Sequence, residues 1–143
     1  MKRIRLLVLL SALAVALPLG VLSGVAKATG DGSSLSINQN AQYDINGNII
    51  HVGLRVRCPN ISPLFGTIHV HVTQYPPETP VQADGDSLVK EVVCDGQTHS
   101  VGASIANPEP FGFDAGRAYA TAEFFYGGTA TATKWINIIV MPG

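Results

Sequence analysis

The stretch Ile50-His51-Val52-Gly53-Leu54-Arg55-Val56-Arg57-Cys58 decides the fold class of this chain. Ile50, Val52, Leu54, Val56 and Cys58 share one parity, and His51, Gly53, Arg55 and Arg57 share the other. Side chains alternate across an extended chain, so this period of two predicts a β-strand with one core face and one solvated face. Asn46-Gly47 immediately before it is a tight-turn signal. Pro59 immediately after Cys58 stops it, because proline cannot continue a hydrogen-bonded ladder.

Working outward, the same alternation recurs. A weak strand is expected at 34–38 before the decisive one. After it, Ile68, Val70 and Val72 alternate with Thr67, His69, His71, Thr73 and Tyr75. Pro76, Pro77 and Pro80 then open a loop that is expected to end at the turn-like Asp84-Gly85-Asp86. Further strands are expected over 87–94, 98–105, 117–126 and 131–141. Asp95-Gly96 reads as a two-residue hairpin between the fourth and fifth strands, and Gly127-Gly128 as the turn between the sixth and seventh. No stretch has helical periodicity, and no linker or internal repeat divides the chain. Seven short strands separated by turn signals fit an antiparallel immunoglobulin-like β-sandwich.

The N-terminus stands apart. Met1-Lys2-Arg3-Ile4-Arg5 is basic, residues 6–25 are almost wholly apolar, and Ala26-Lys27-Ala28 supplies a small-x-small site. This is the layout of a secretory signal peptide, with cleavage expected after Ala28. Residues 1–28 are therefore the signal peptide and residues 29–143 the folded domain. An uncleaved membrane anchor is the alternative, since about 20 apolar residues can span a bilayer; Pro18 and Gly20 speak against it. Of the nine basic residues, Lys2, Arg3, Arg5 and Lys27 leave with the segment while all ten acidic residues stay, so the remaining domain has a net charge of −5. That balance disfavours nucleic acid and anionic membrane surfaces as partners. The expected location is secreted and extracellular, with no stable membrane insertion after cleavage.

Two cysteines remain, Cys58 and Cys94. In an oxidising compartment they are expected to pair; two free buried thiols are the alternative.

Arg57-Cys58, Val93-Cys94-Asp95-Gly96-Gln97-Thr98-His99 and Phe113-Asp114-Ala115-Gly116-Arg117-Ala118-Tyr119-Ala120 together resemble small secreted bacterial immunoglobulin-like proteins, many of them uncharacterised. The resemblance covers most of the exported domain, and it implies a fold and no activity. Asp114-x-Gly116-x-x-Tyr119 also looks like a tyrosine corner, one residue longer than the usual spacing, which implies an inward Tyr119. The pattern departs from antibody-type domains. There the cysteines sit on the second and sixth strands with a tryptophan on the third, whereas here they sit on the second and fourth, and Trp135 lies on the seventh. In the standard topology the second and fourth strands flank the fifth, so the disulfide would tie the ends of neighbouring strands.

His69-Val70-His71 is the sharpest polar feature. Residues two apart on a strand point the same way, so both imidazoles are offered together, as copper or zinc sites in β proteins require. His51 or Glu123 would be the third ligand; Glu123 qualifies only if the sixth strand turns Thr121 and Glu123 outward, which conflicts with an inward Tyr119. Copper–zinc superoxide dismutases carry such a pair but add further histidines and an aspartate on the following loop, which here is Pro76-Pro77-Glu78-Thr79-Pro80. The plain alternative is two solvated or cross-strand-paired histidines. None of the serines in the exported domain sits in a Gly-x-Ser-x-Gly elbow. The expectation is a non-enzymatic domain without a cofactor, serving extracellular binding or structure, its partner a protein, a glycan or a small molecule. Two alternatives are a small-molecule carrier, similar to the seven-stranded chromoprotein apoproteins, and a metal-binding protein using His69 and His71.

Overall fold

The computed structural model describes residues 31–60, 65–75, 82–107 and 112–141. The expected signal peptide and its cleavage site after Ala28 lie outside the described residues. Seven strands are present: β1 (Ser34–Asp44), β2 (Ile49–Arg57), β3 (Phe65–Gln74), β4 (Ala83–Val93), β5 (Thr98–Ala106), β6 (Gly116–Phe125) and β7 (Thr129–Val140). There is no helix among the described residues.

The strands form one mixed sheet in the order β4-β3-β6-β7-β1-β2-β5. Its two end strands, β4 and β5, also contact each other, so the sheet curls into a barrel-like wrap around one core. The expectation of a wholly antiparallel arrangement is corrected at one seam: β1 and β7 pair in parallel over Asn40–Tyr43 and Asn137–Val140. β1 can hold two partners because it is irregular. Ile37 pairs with Leu54 and Ala41 with Val52, so Asn38, Gln39 and Asn40 stand against the single residue Gly53. An extra stretch of this kind bends a strand and raises its twist, and β7 joins β1 where the regular pairing to β2 resumes.

The alternations place the core as the periodicity dictates. Ile50, Val52, Leu54, Val56 and Cys58 from β2 and its end, and Ile68, Val70 and Val72 from β3, are all buried. β6 contributes Ala118, Ala120, Ala122 and Phe124. Gln74 continues the inward parity of β3 and is a buried polar residue. Its amide donates to the carbonyls of Asp114 (3.0 Å) and Arg117 (3.3 Å), and its Oε1 accepts the Asp114 N–H at 2.8 Å. A buried amide so satisfied costs little and anchors the entry to β6.

Two turn assignments change. Asp84-Gly85-Asp86 lies inside β4, paired with Thr73-Val72-His71 of β3, rather than in a loop. A Cβ on Gly85 would come within 2.4 Å of Ile105 Cγ2 and 3.0 Å of the Phe113 ring, so core packing requires this glycine. Asp95-Gly96 connects β4 to β5, but those strands share no ladder; β4 pairs with β3 and β5 with β2. The segment is a crossover docked on the end of β2. Gly96 takes φ 81° and donates its N–H to the Cys58 carbonyl at 3.1 Å, while Arg57 Nε donates to the Gly96 carbonyl at 2.9 Å. By contrast, Gly127-Gly128 does turn the β6–β7 hairpin.

Cys58 and Cys94 are joined as a disulfide, with Cα atoms 5.0 Å apart. It follows β2 and β4 directly. Because β4 pairs with β3 and not with β5, the bond does not tie neighbouring strands of one ladder. It connects the end strand β4 to β2, the next-to-last strand at the other end of the sheet order.

Candidate functional site

The outer face of the β4-β3-β6-β7 half is built rung by rung from cross-strand partners. Leu88, His69, Glu123 and Thr131 form one rung. Asp86, His71, Thr121 and Thr133 form the next, and Asp84, Thr73, Tyr119 and Trp135 the one after. Each row stands on the solvent side because Ile68, Val70, Val72, Ala118, Ala120 and Ala122 take the inner side of the same strands.

The centre of this face is a histidine–aspartate lattice. Asp86 Oδ1 lies 3.1 Å from His69 Nε2 and 2.9 Å from His71 Nδ1. His71 Nε2 lies 3.0 Å from Thr73 Oγ1 and 3.4 Å from Asp84 Oδ1. The Thr73 hydroxyl donates to Asp84 Oδ1 at 2.7 Å, and the Gln82 amide donates to both Asp84 oxygens. Donation from Gln82 foremost, with Thr73 and His71 adding to it, holds the Asp84 carboxyl below its usual 3.8. The aspartates misread as turn formers are thus the cross-strand partners of the histidine pair.

The ends of the face are apolar or aromatic. Phe65, Leu88, Val93 and Phe125 are exposed toward one end, Tyr119 and Trp135 toward the other. The Tyr119 and Trp135 rings are 5.1 Å apart at 60°, and the Arg117 guanidinium sits 4.6 Å from the Trp135 ring centre. Tyr119 is therefore an outward residue, and the tyrosine-corner expectation is corrected. Its parity with Thr121 and Glu123 sends all three outward, which puts Glu123 opposite His69.

Among the described residues, no group of three or more His, Cys, Asp and Glu side chains is arranged to hold a metal ion. His69 and His71 do stand together, engaged by Asp86. His51 does not join them: it lies on β2, with Nδ1 3.1 Å from Ser104 Oγ on β5. His99 lies at the start of β5, with Nε2 2.8 Å from Asp95 Oδ1. That bond, together with the Gln97 N–H, holds the Asp95 carboxyl below its usual value. What the sequence does not single out is the cross-strand position of Asp84 and Asp86; its signal is their period-two match to Thr73 and His71.

No protein-family model matches this chain, and no curated protein matches it in sequence. Among solved structures it is similar to the ligand-binding region of Serine-glutamate repeat protein A of Enterococcus faecium. The identity is 13%, the match covers 76% of this chain and 98% of that one, and the TM-score is 0.38.

Proposed function

We propose that this chain is an exported, non-enzymatic domain of immunoglobulin-like build that binds an extracellular protein through the outer face of β3, β4, β6 and β7. One observation carries the proposal. Of the nine large hydrophobic side chains exposed among the described residues, seven stand at outward positions of these strands: Phe65, Leu88, Val93, Tyr119, Phe125, Trp135 and, at the far end of β7, Ile139. Scattered exposed hydrophobics are ordinary, but clustered ones mark contact surfaces. Aromatic residues and arginine are also the types enriched where proteins meet, and Trp, Tyr and Arg dominate binding energy. Here Arg117, Tyr119 and Trp135 are already held against one another, which lowers the entropy lost on docking. The adjoining Asp84, Asp86, His69, His71 and Glu123 would give a partner's polar groups fixed partners.

The signal-like N-terminus and the disulfide support export, since such bonds persist outside the reducing cytosol. The adjacency of β2 with β5, of β3 with β6 and of β6 with β7 supports the immunoglobulin-like reading, with β4 displaced onto β3.

The test is saturable binding of purified residues 29–143 to the surface and secreted proteins of the exporting cell. Phe125→Ala and Trp135→Ala should each weaken it by about tenfold, or about 1.4 kcal/mol. Full retention of binding by the double variant would reject this face as the contact surface.

A further inference from the structure

We infer that the molecule carries a second binding site beyond the Trp135 end of that face: a trough on the outer face of β1, β2 and β5, bordered by the end of β7, that takes a neutral polyhydroxylated ligand, a saccharide. The trough begins with a bare rung. Gly53 of β2 and Gly102 of β5 are direct cross-strand partners, so the ladder has no side chain on its outer face there. On the same face His51 and Ser104 form the adjacent rung. Along the other edge of β2, the irregular part of β1 places Asn38, Gln39 and Asn40 against Gly53 alone.

The result is a cavity of about 440 Å³ over the two glycines. Asn38, Asn40, Gln42 and His51 supply polar lining, and Ile139 and Met141 apolar lining. Small-ligand seats have volumes of this order. At Gly53 a Cβ would come within 2.3 Å of Asn38 Nδ2, the free end of an exposed side chain that would have to swing aside. At Gly102 a Cβ meets nothing within 4 Å, and its φ is not in the left-handed region. The space above Gly102 is open, and no packing constraint on the protein accounts for a glycine there.

The lining selects the ligand class. None of its residues is Asp, Glu, Lys or Arg, so an ionic ligand would lose water without gaining a counter-charge. A carboxamide both donates and accepts, as a hydroxyl group does, and three carboxamides side by side match successive hydroxyls of a sugar ring. The amides of Asn38, Asn40 and Gln42 have no side-chain hydrogen bond to other described residues. His51 is steadied by Ser104 at Nδ1, leaving Nε2 for a ligand. Ile139, exposed, and Met141 offer an apolar wall to the C–H face of a sugar.

The experiment is amide-resolved NMR titration of residues 29–143. The probes are neutral trisaccharides of glucose, mannose, galactose and N-acetylglucosamine, each to about 10 mM, a range that captures millimolar affinity. At least one should shift Gly53, Gly102 and the Asn38 side-chain amide saturably. Gly102→Leu, which fills the trough, should weaken that binding at least about tenfold while the chain stays folded. Asn40→Ala/Gln42→Ala should weaken it too, with the trough left open. Trp135→Ala should leave it unchanged, which separates this site from the protein-binding face. Absence of shifts at these residues with every probe would overturn the inference. So would unchanged affinity in Gly102→Leu and in the double variant, or equal affinity for a trisaccharide of uronic acids.

Discussion

On the outer face of β3, β4, β6 and β7, rung after rung carries side chains that touch one another; on the outer face of β2 and β5, the central rung carries none. The inner faces of the two halves do the same work, burying aliphatic side chains in one continuous core. The difference between the outer faces is therefore not imposed by folding. On one face Asp86 gathers two imidazoles, and Trp135 gathers a ring and a guanidinium. On the other, Gly53 and Gly102 leave a cavity edged by amides. A crowded surface of aromatic and paired charged groups suits a protein partner, and a bare recess suits a small one.

The largest effect should come from the disulfide that links β2 to β4. Cys58→Ala/Cys94→Ala should lower unfolding free energy by about 2–4 kcal/mol, read by chemical denaturation, because it frees a 36-residue separation in the unfolded chain. Next, two glycines sharpen the comparison directly. Gly85→Val should cost about 1–3 kcal/mol, since its new atoms meet Ile105 and Phe113. Gly102→Val should be neutral or stabilising by up to about 1 kcal/mol, because it adds a strand-forming side chain to open space. Equal destabilisation by both would mean that the trough is a packing requirement.

A smaller loss is expected on the crowded face. Trp135→Ala removes a ring pair and a cation–π contact and should cost about 0.5–1.5 kcal/mol by thermal unfolding. The smallest effect depends on pH. The Asp84 carboxyl ionises more readily in the folded chain than in the unfolded one. Its contribution is complete above the usual carboxylate value of 3.8 and is lost as pH falls through the lower folded value. Asp84→Asn should therefore narrow the gap in stability between about pH 6 and pH 3, by less than about 1 kcal/mol because the group is well exposed to solvent. A variant with the wild-type acid profile would show the lattice to be energetically silent.

Much of this architecture is legible in the chain because alternation reports which side of a strand is buried. The inner residues of β2 and β3 follow directly from their parity. What local chemistry does not report is the partner across the ladder. Asp-Gly reads as a turn from its own backbone preferences, yet Asp95-Gly96 joins strands that pair elsewhere, and Asp84-Gly85-Asp86 is a strand segment whose glycine makes way for Phe113. Gln74 was hidden for the same reason: its role depends on Asp114 and Arg117, 40 and 43 residues away. The candidate site shows the same division. His69 and His71 stand out in the sequence, but their aspartate partners and the adjoining Tyr119–Trp135 pair emerge only from the register of β4, β6 and β7.

The most direct test of the division between the two faces is site-directed photo-crosslinking in the exporting cell. A photoreactive residue replaces Trp135 or Phe125 on the crowded face, and Ser100 or Ser104 on the other. Discrete protein adducts at positions 125 and 135, absent at 100 and 104, are the predicted result. Adducts of equal yield at all four positions, or at 100 and 104 alone, would contradict the assignment of the protein-binding face.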